Sequence, residues 1–247
     1  MRPVQISLQI LDALGGMQPA GVSDLSRALE LPKSTVQRAL TSLCEAGWIE
    51  LRDPAQSKWS LSLKALLAFG RAAQTEHRLR SAALPVMESV RRETGESVYL
   101  ALRHARVVVL IERLDGLKPL YNFWPIGSAA PMHGLSLGKA VLANLSTEQI
   151  DEYLASPLER RTPYTIIDPA EIRADLELIR QRGFSVAIQS NWATENAVGA
   201  PIFNSEGIAY AAVSISAPSQ RLSAADCVTV GALLADAARR ITFSLGY

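Results

Sequence analysis

The tightest constraint in this chain is a set of offsets near its start. Counting from Val22, apolar residues fall at Leu25, Leu29, Leu31, Val36 and Ala39, with the small Ser26 next to Leu25. Two short helices crossed through a tight turn need that spacing. Ser23–Leu29 reads as the first helix. The second runs from Pro32, tolerated at a first helical position because its missing N–H is not needed there, to about Ala46, with Gly47 as a left-handed C-cap. Val36, Ala39, Leu40 and Leu43 make its inward face. Glu30 stands in the turn where positive φ favours glycine, at a cost on the order of 1 kcal/mol. Val4–Leu14 forms a preceding helix, ended by Gly15-Gly16. The strand-like runs Trp48–Arg52 and Lys58–Leu61 follow, joined by a turn over 53–57. Three helices and a two-stranded ribbon are the element order of a winged helix-turn-helix.

The outward residues of the third helix include Lys33, Ser34, Thr35, Gln37 and Arg38. Such side chains suit phosphate oxygens and base edges in a major groove, and they cluster at the helix end that enters it. Arg52 and Lys58 flank the ribbon within reach of phosphates. A solvated face, or a winged helix that binds protein, is the alternative. The formal net charge is only +1. Residues 1–80 nevertheless hold 10 basic and 7 acidic side chains, net +3, and residues 81–247 hold 15 and 17, net −2. The asymmetry is mild and decides nothing alone, but it makes the first 80 residues the place to look for a polyanion site.

Beyond residue 62 the pattern is mixed. A helix spans about 63–80, with Pro85 on its far side, and Val86–Thr94 is helical. Ser97–Leu102 and Arg106–Arg113 read as a hairpin, and Pro119–Trp124 as a further strand. Leu135–Leu145 is a helix. Ser146-Thr147-Glu148-Gln149 has capping-box form, and Asp168-Pro169-Ala170-Glu171 starts another helix, closed by Gly183. Phe184–Ile188, Ala197–Phe203 and Ile208–Ile215 are strands, and Ser223 caps a final helix. The fold class is α+β. Expected boundaries are 1–62 for the winged helix, 63–84 for a linker helix and 85–247 for the larger domain.

No apolar run approaches the roughly 20 residues that span a bilayer. No signal-peptide pattern opens the chain, and Cys44 and Cys227 are too few and too far apart for a disulfide framework, so the cytoplasm is the expected location and no membrane partner is expected. His77, His104 and His133 lack metal-ligand spacing, and no dinucleotide or phosphate-loop motif occurs, so neither metal nor cofactor is expected. Gly134-Leu135-Ser136-Leu137-Gly138 loosely matches a nucleophile elbow, but no histidine follows position 133 to complete it. A non-enzymatic chain is expected. The alternative is an enzyme acting on a small organic acid, with an appended winged helix.

Leu31–Leu40 resembles the recognition-helix signature of IclR-type transcriptional regulators. Pro131–Ala143, Thr162–Ile166, Ile179–Phe184, Ala200–Phe203 and Ala212–Pro218 resemble further stretches of that family, in order and over nearly the whole chain. The resemblance implies a linker helix and a GAF-like α/β effector-binding domain after the winged helix. It also implies a homodimer or homotetramer on a double-stranded operator, answering to a small molecule, often an organic or aromatic acid.

By that alignment Ser136 and Leu137 line the ligand, at a helix start whose N–H groups suit a carboxylate. Ser214 and Ser216 alternate on one strand and share a face; two buried serines satisfied by backbone is the other reading. At Ala197 many members carry Cys, and the acidic stretch preceding it is absent here, which disfavours a two- or three-carbon keto acid. Leu120, Asn122 and Trp124 share a strand face, and with Trp192 they suggest a ring-bearing effector, unless these aromatics are core.

Overall fold

The computed structural model describes residues 3–53, 57–72, 74–118 and 124–246. The chain divides into two compact units, Met1–Gln74 and Thr75–Tyr247.

In the first unit, helices α1 (Pro3–Met17), α2 (Val22–Ala28) and α3 (Lys33–Glu45) enclose a core of Ile6, Ile10, Leu14, Leu25, Val36, Leu40 and Leu43. Strand β1 (Ala20–Gly21) joins β2 (Ile49–Asp53) and β3 (Lys58–Leu61) in an antiparallel sheet of order β1-β3-β2. Helix α4 (Leu63–Ala72) follows.

Ser26 does more than fit a tight crossing. Its Oγ donates to the Leu31 carbonyl at 2.6 Å and closes the turn. Glu30 in that turn has φ 52°, the left-handed backbone expected of it. Gly47 (φ 75°) caps α3 as anticipated. Gly15-Gly16 does not end α1, which continues to Met17. Neither glycine has positive φ, and burial of Leu14 with the Gln18 N–H bond to the Leu14 carbonyl offsets their poor propensity. Strand β1, two residues long, carries no period and was illegible.

In the second unit, α5 (Gln74–Thr94) passes straight through Pro85. The expected break there is wrong. Pro85 faces solvent, and Ala83, Val86, Met87 and Val90 bury the opposite face, so packing outweighs one lost backbone bond.

The sheet has order β6-β5-β4-β9-β8-β7, antiparallel throughout. Its strands are β4 (Ser97–His104), β5 (Val107–Leu114), β6 (Ala129–Pro131), β7 (Ser185–Ile188), β8 (Glu195–Phe203) and β9 (Ala209–Pro218). The strand expected over 119–124 falls on 119–123, outside the described residues; Trp124 is in no strand.

Alternation sorts the sheet's faces. Val98, Leu100, Val213, Ile215, Val198 and Ala200 pack against α5 and α9 (Asp226–Ser244). Tyr99, Ala101 and Ala212 face α6 (Ser136–Leu142), α7 (Thr147–Leu154) and α8 (Pro169–Arg182). Helix α6 ends three residues short of the expected Leu145. Ser146 and Gln149 cap α7 reciprocally, and Asp168 accepts the Ala170 and Glu171 N–H groups at the head of α8. Gly183, at φ 80°, closes it.

Candidate effector pocket and nucleic-acid interface

The face of α3 follows from its period. Val36, Leu40 and Leu43 point inward at i, i+4 and i+7. Lys33, Ser34, Gln37 and Arg38 are therefore exposed, while Thr35 is half-buried beside a groove shared with Ile6 of α1. Arg38 Nε donates to the Ser34 carbonyl at 3.3 Å, which lays the guanidinium along the helix. The first turn holds no acidic residue to oppose a phosphate. On the ribbon, Arg52 is exposed and lies 3.9 Å from Glu50, a solvent-screened pair; Lys58 is half-buried opposite Asp53.

In the second unit a cavity opens between the sheet and α6. It is lined by Tyr99, Trp124, Leu135, Ser136, Leu137, Ala187, Asn191, Trp192, Glu195, Ala197, Ser214 and Ser216. Of the residues expected there, Trp124, Ser136, Leu137, Trp192, Ala197, Ser214 and Ser216 all line it. Leu120 and Asn122 lie outside the described residues. The cavity is small, about 30 Å³, room for one or two waters.

Backbone proximity builds its floor. A Cβ on Gly199 would stand 2.6 Å from the Ser136 carbonyl group, so only glycine lets β8 lie this close to α6. Ser185 Oγ donates to the Ser136 carbonyl at 2.6 Å and fastens the same point to β7.

The wall carrying Asn191 and Trp192 is a loop pinned from outside. Thr165 Oγ1 donates to the Ser190 carbonyl at 2.6 Å, Thr162 Oγ1 to the Gln189 carbonyl at 2.7 Å, and Ser190 Oγ to the Gly134 carbonyl at 2.9 Å. The Thr162–Ile166 stretch thus anchors a cavity wall from outside. Trp124 and Trp192 meet edge-on at 6.5 Å between centroids, and Tyr99 lies tilted to Trp124 at 6.4 Å.

Two polar residues escaped sequence reasoning. Glu195 is 6% exposed, and its Oε2 accepts the Ser216 hydroxyl at 2.8 Å. Asn191 Oδ1 is buried in the same lining. The signal for Glu195 was present: on a strand it shares a face with Ala197, two residues on. Burial and the neighbouring Glu195 charge push the Tyr99 hydroxyl up to about 12. No described residue of the lining is basic, so a carboxylate seated at the start of α6 would share the cavity with Glu195.

His133 does not reach this cavity. Its ring lies 2.8 Å from the Tyr153 hydroxyl and 2.9 Å from the Glu159 carbonyl. Among the described residues no helix is long and apolar enough to cross a membrane.

A chain made of a winged helix-turn-helix unit and a sheet-and-helix unit with its own cavity defines a class: DNA-binding regulators with a sensory domain. Comparisons agree. Residues 3–53 match the IclR helix-turn-helix domain and residues 71–243 the bacterial transcriptional regulator IclR C-terminal domain. The HTH-type transcriptional repressor AllR of Escherichia coli K12 is 33% identical over 240 residues, covering 97% of this chain and 87% of AllR. A Thermotoga maritima IclR structure superposes with TM-score 0.81 at 26% identity, covering 99% of this chain and 98% of that one. An IclR homolog from Microbacterium hydrocarbonoxydans, complexed with 4-hydroxybenzoate, superposes with TM-score 0.82 at 28% identity, covering 99% of both chains. This chain belongs to the IclR family. It is a DNA-binding transcriptional regulator, not an enzyme.

Proposed function

We propose that this chain is a one-component regulator that reads a double-stranded operator through α3 and answers to a ring-bearing organic molecule, aromatic acids included, that widens and fills the cavity beside α6. The observation that carries the reading is the Trp124–Trp192 pair in one lining with Ser136, Leu137, Ala197, Ser214 and Ser216. An edge-on aromatic pair offers an aromatic ligand stacking area, and hydroxyls fix its substituents. The relative that binds 4-hydroxybenzoate supports the class.

Lys33, Ser34, Thr35, Gln37 and Arg38 are the proposed DNA contacts of the helix, with Arg52 and Lys58 on phosphates. A near-neutral chain relies on few cations, and a homodimer or homotetramer in the cytoplasm multiplies them on one operator. The effector shifts operator affinity only through its unequal affinity for the DNA-competent and DNA-incompetent states.

The test is a thermal-shift screen of aromatic and aliphatic acids on the full chain, followed by titration of the hits into an operator complex. A ligand at 100 times its Kd adds about 2.7 kcal/mol to stability. Ring compounds that raise the melting temperature and change operator occupancy support the reading. Hits confined to aliphatic acids overturn the ring-binding assignment.

A further inference from the structure

About 30 Å³ is open in the cavity. Benzene needs a cavity of roughly 150 Å³. A wall must therefore move before a ring fits. The floor is held by the close approach of Gly199 to the Ser136 carbonyl group, and Ser214 and Ser216 lie on β9, paired on both sides by β4 and β8. The wall that carries Asn191 and Trp192 is instead a loop between β7 and β8. Its ends are tied to backbone: the Gln189 N–H donates to the Glu195 carbonyl at 3.0 Å, and the Thr194 carbonyl accepts the Ser219 N–H at 2.9 Å. Between those ends it is fastened by side-chain hydroxyls. Thr162 Oγ1 and Thr165 Oγ1 donate to the Gln189 and Ser190 carbonyls, and Ser190 Oγ donates to the Gly134 carbonyl. Both threonine oxygens are aimed by their own loop. Thr165 Oγ1 accepts the Arg161 and Thr162 N–H groups at 3.1 and 2.9 Å, and Thr162 Oγ1 accepts the Tyr164 N–H at 3.1 Å. A cleft of about 280 Å³, lined in part by Tyr164, Ile166, Ile188 and Ser190, borders the same wall and gives it space to move into. Gln189, at φ 52°, sets a strained non-glycine backbone where β7 ends and the wall begins.

We propose that residues 190–192 are the gate of the effector cavity, and that the hydroxyls of Thr162, Thr165 and Ser190 are its latch. This rests on the reading that the cavity is the effector site. With the latch made, a ring is excluded by volume. A ring enters when the hydroxyl bonds open and the gate moves toward the cleft, and the gate stays displaced while the ring is bound. The apparent Kd is then the intrinsic value divided by the fraction of molecules with an open gate. Weakening the latch raises that fraction, so it tightens binding and speeds entry. Loss of a merely supporting contact acts the other way and weakens binding. Thr162 and Thr165 touch no ligand in this arrangement; they are positioning residues that set how strong a ligand must be to hold the gate open.

The test uses Ser190→Ala and Thr165→Val, each of which removes a hydroxyl bond from the closed state, and Thr165→Ser, which keeps it. Unliganded melting temperatures establish that the variants fold. Hydrogen exchange at the Gln189 and Glu195 amides, measured on the full chain without ligand, reads the opening of the wall, because both bond within it. Stopped-flow tryptophan fluorescence with 4-hydroxybenzoate and with benzene reads entry, because Trp124 and Trp192 line the cavity. Ser190→Ala and Thr165→Val are expected to exchange those amides faster, to associate faster and to bind the rings about fivefold tighter, the equivalent of one hydrogen bond. Thr165→Ser is expected to match the parent chain. Binding by the two loosened variants alone also supports the gate. Exchange unchanged in both overturns the latch. Faster exchange with unchanged or weaker binding overturns the gate while leaving the ring pocket intact. Failure of both rings to bind the parent and every variant overturns the ring-pocket reading and this inference with it.

Discussion

Tyr153 and His133 are joined twice. The Tyr153 hydroxyl oxygen accepts the His133 backbone N–H at 3.1 Å and lies 2.8 Å from the His133 ring Nδ1. The other ring nitrogen, Nε2, lies 2.9 Å from the Glu159 carbonyl, which can only accept. For a neutral ring the proton count has one solution: Nε2 carries the hydrogen, and Nδ1 accepts from the tyrosine hydroxyl.

The buried position favours that neutral imidazole. Burial pushes the His133 pKa below its ordinary 6.5, the Glu159 carbonyl pulling the other way. As pH falls through about 6.5, the unfolded chain takes up a proton that the folded chain resists, so stability falls with falling pH. Urea midpoints at about pH 7.5 and about pH 5.5 measure it. His133→Gln is expected to flatten the difference; an unchanged pH dependence would show that the ring does not titrate as described.

Glu30 sits at φ 52° in the turn between α2 and α3. Glycine adopts that backbone without a Cβ penalty, so Glu30→Gly should stabilise the first unit by up to about 1 kcal/mol. The larger conformational entropy of unfolded glycine sets the limit. Chemical denaturation of the variant provides the check, and a loss of stability would mean that the glutamate side chain contributes more than its backbone costs.

Arg38 is exposed, and its side chain lies along the helix rather than in the core. Arg38→Ala should leave the unfolding midpoint within about 0.5 kcal/mol and weaken operator binding by about 1–3 kcal/mol. If the residue contacts phosphate, the salt dependence becomes shallower by about one counterion. Gel-shift titrations at two salt concentrations measure both, and unaltered affinity would remove Arg38 from the interface.

Gly199 faces the Ser136 carbonyl group closely enough that an added Cβ would lie 2.6 Å from backbone atoms. Backbone yields less readily than a side-chain tip, so Gly199→Ala should cost about 1–3 kcal/mol and shift α6 away from β8. Because Ser136 and Leu137 line the cavity, effector affinity should change with stability. A stable variant with normal ligand binding would show that the strand and helix have slack.

Much of this architecture was legible in short-range pattern. Caps at Ser146, Asp168, Gly47 and Gly183 were readable because each acts within one turn of its own helix. Gly15-Gly16 and Pro85 misled for the converse reason: their local cost is real, but packing of Leu14, Val86 and Met87 is set by residues distant in sequence. The cavity divided the same way. Ser214 and Ser216 followed from strand alternation, whereas Asn191 belongs to a loop fastened by Thr162 and Thr165, which no spacing connects to it. Glu195 stood between the two cases: its face was fixed by Ala197, but its neighbour Ser216 lies across a strand pairing that only the register supplies.

Strand β9 is one backbone thick. Ser214 turns toward the cavity, and its chain neighbours Val213 and Ile215 turn toward the core that seats Val86, Met87 and Val90 of α5. A close-packed interior has little compressibility with which to absorb a displacement. If the cavity is the effector site, the sheet would work as a diaphragm rather than a bulkhead: a molecule that swells the cavity would push on the same peptide planes against which α5 rests, and occupancy on one face would be felt as a change of footing on the other.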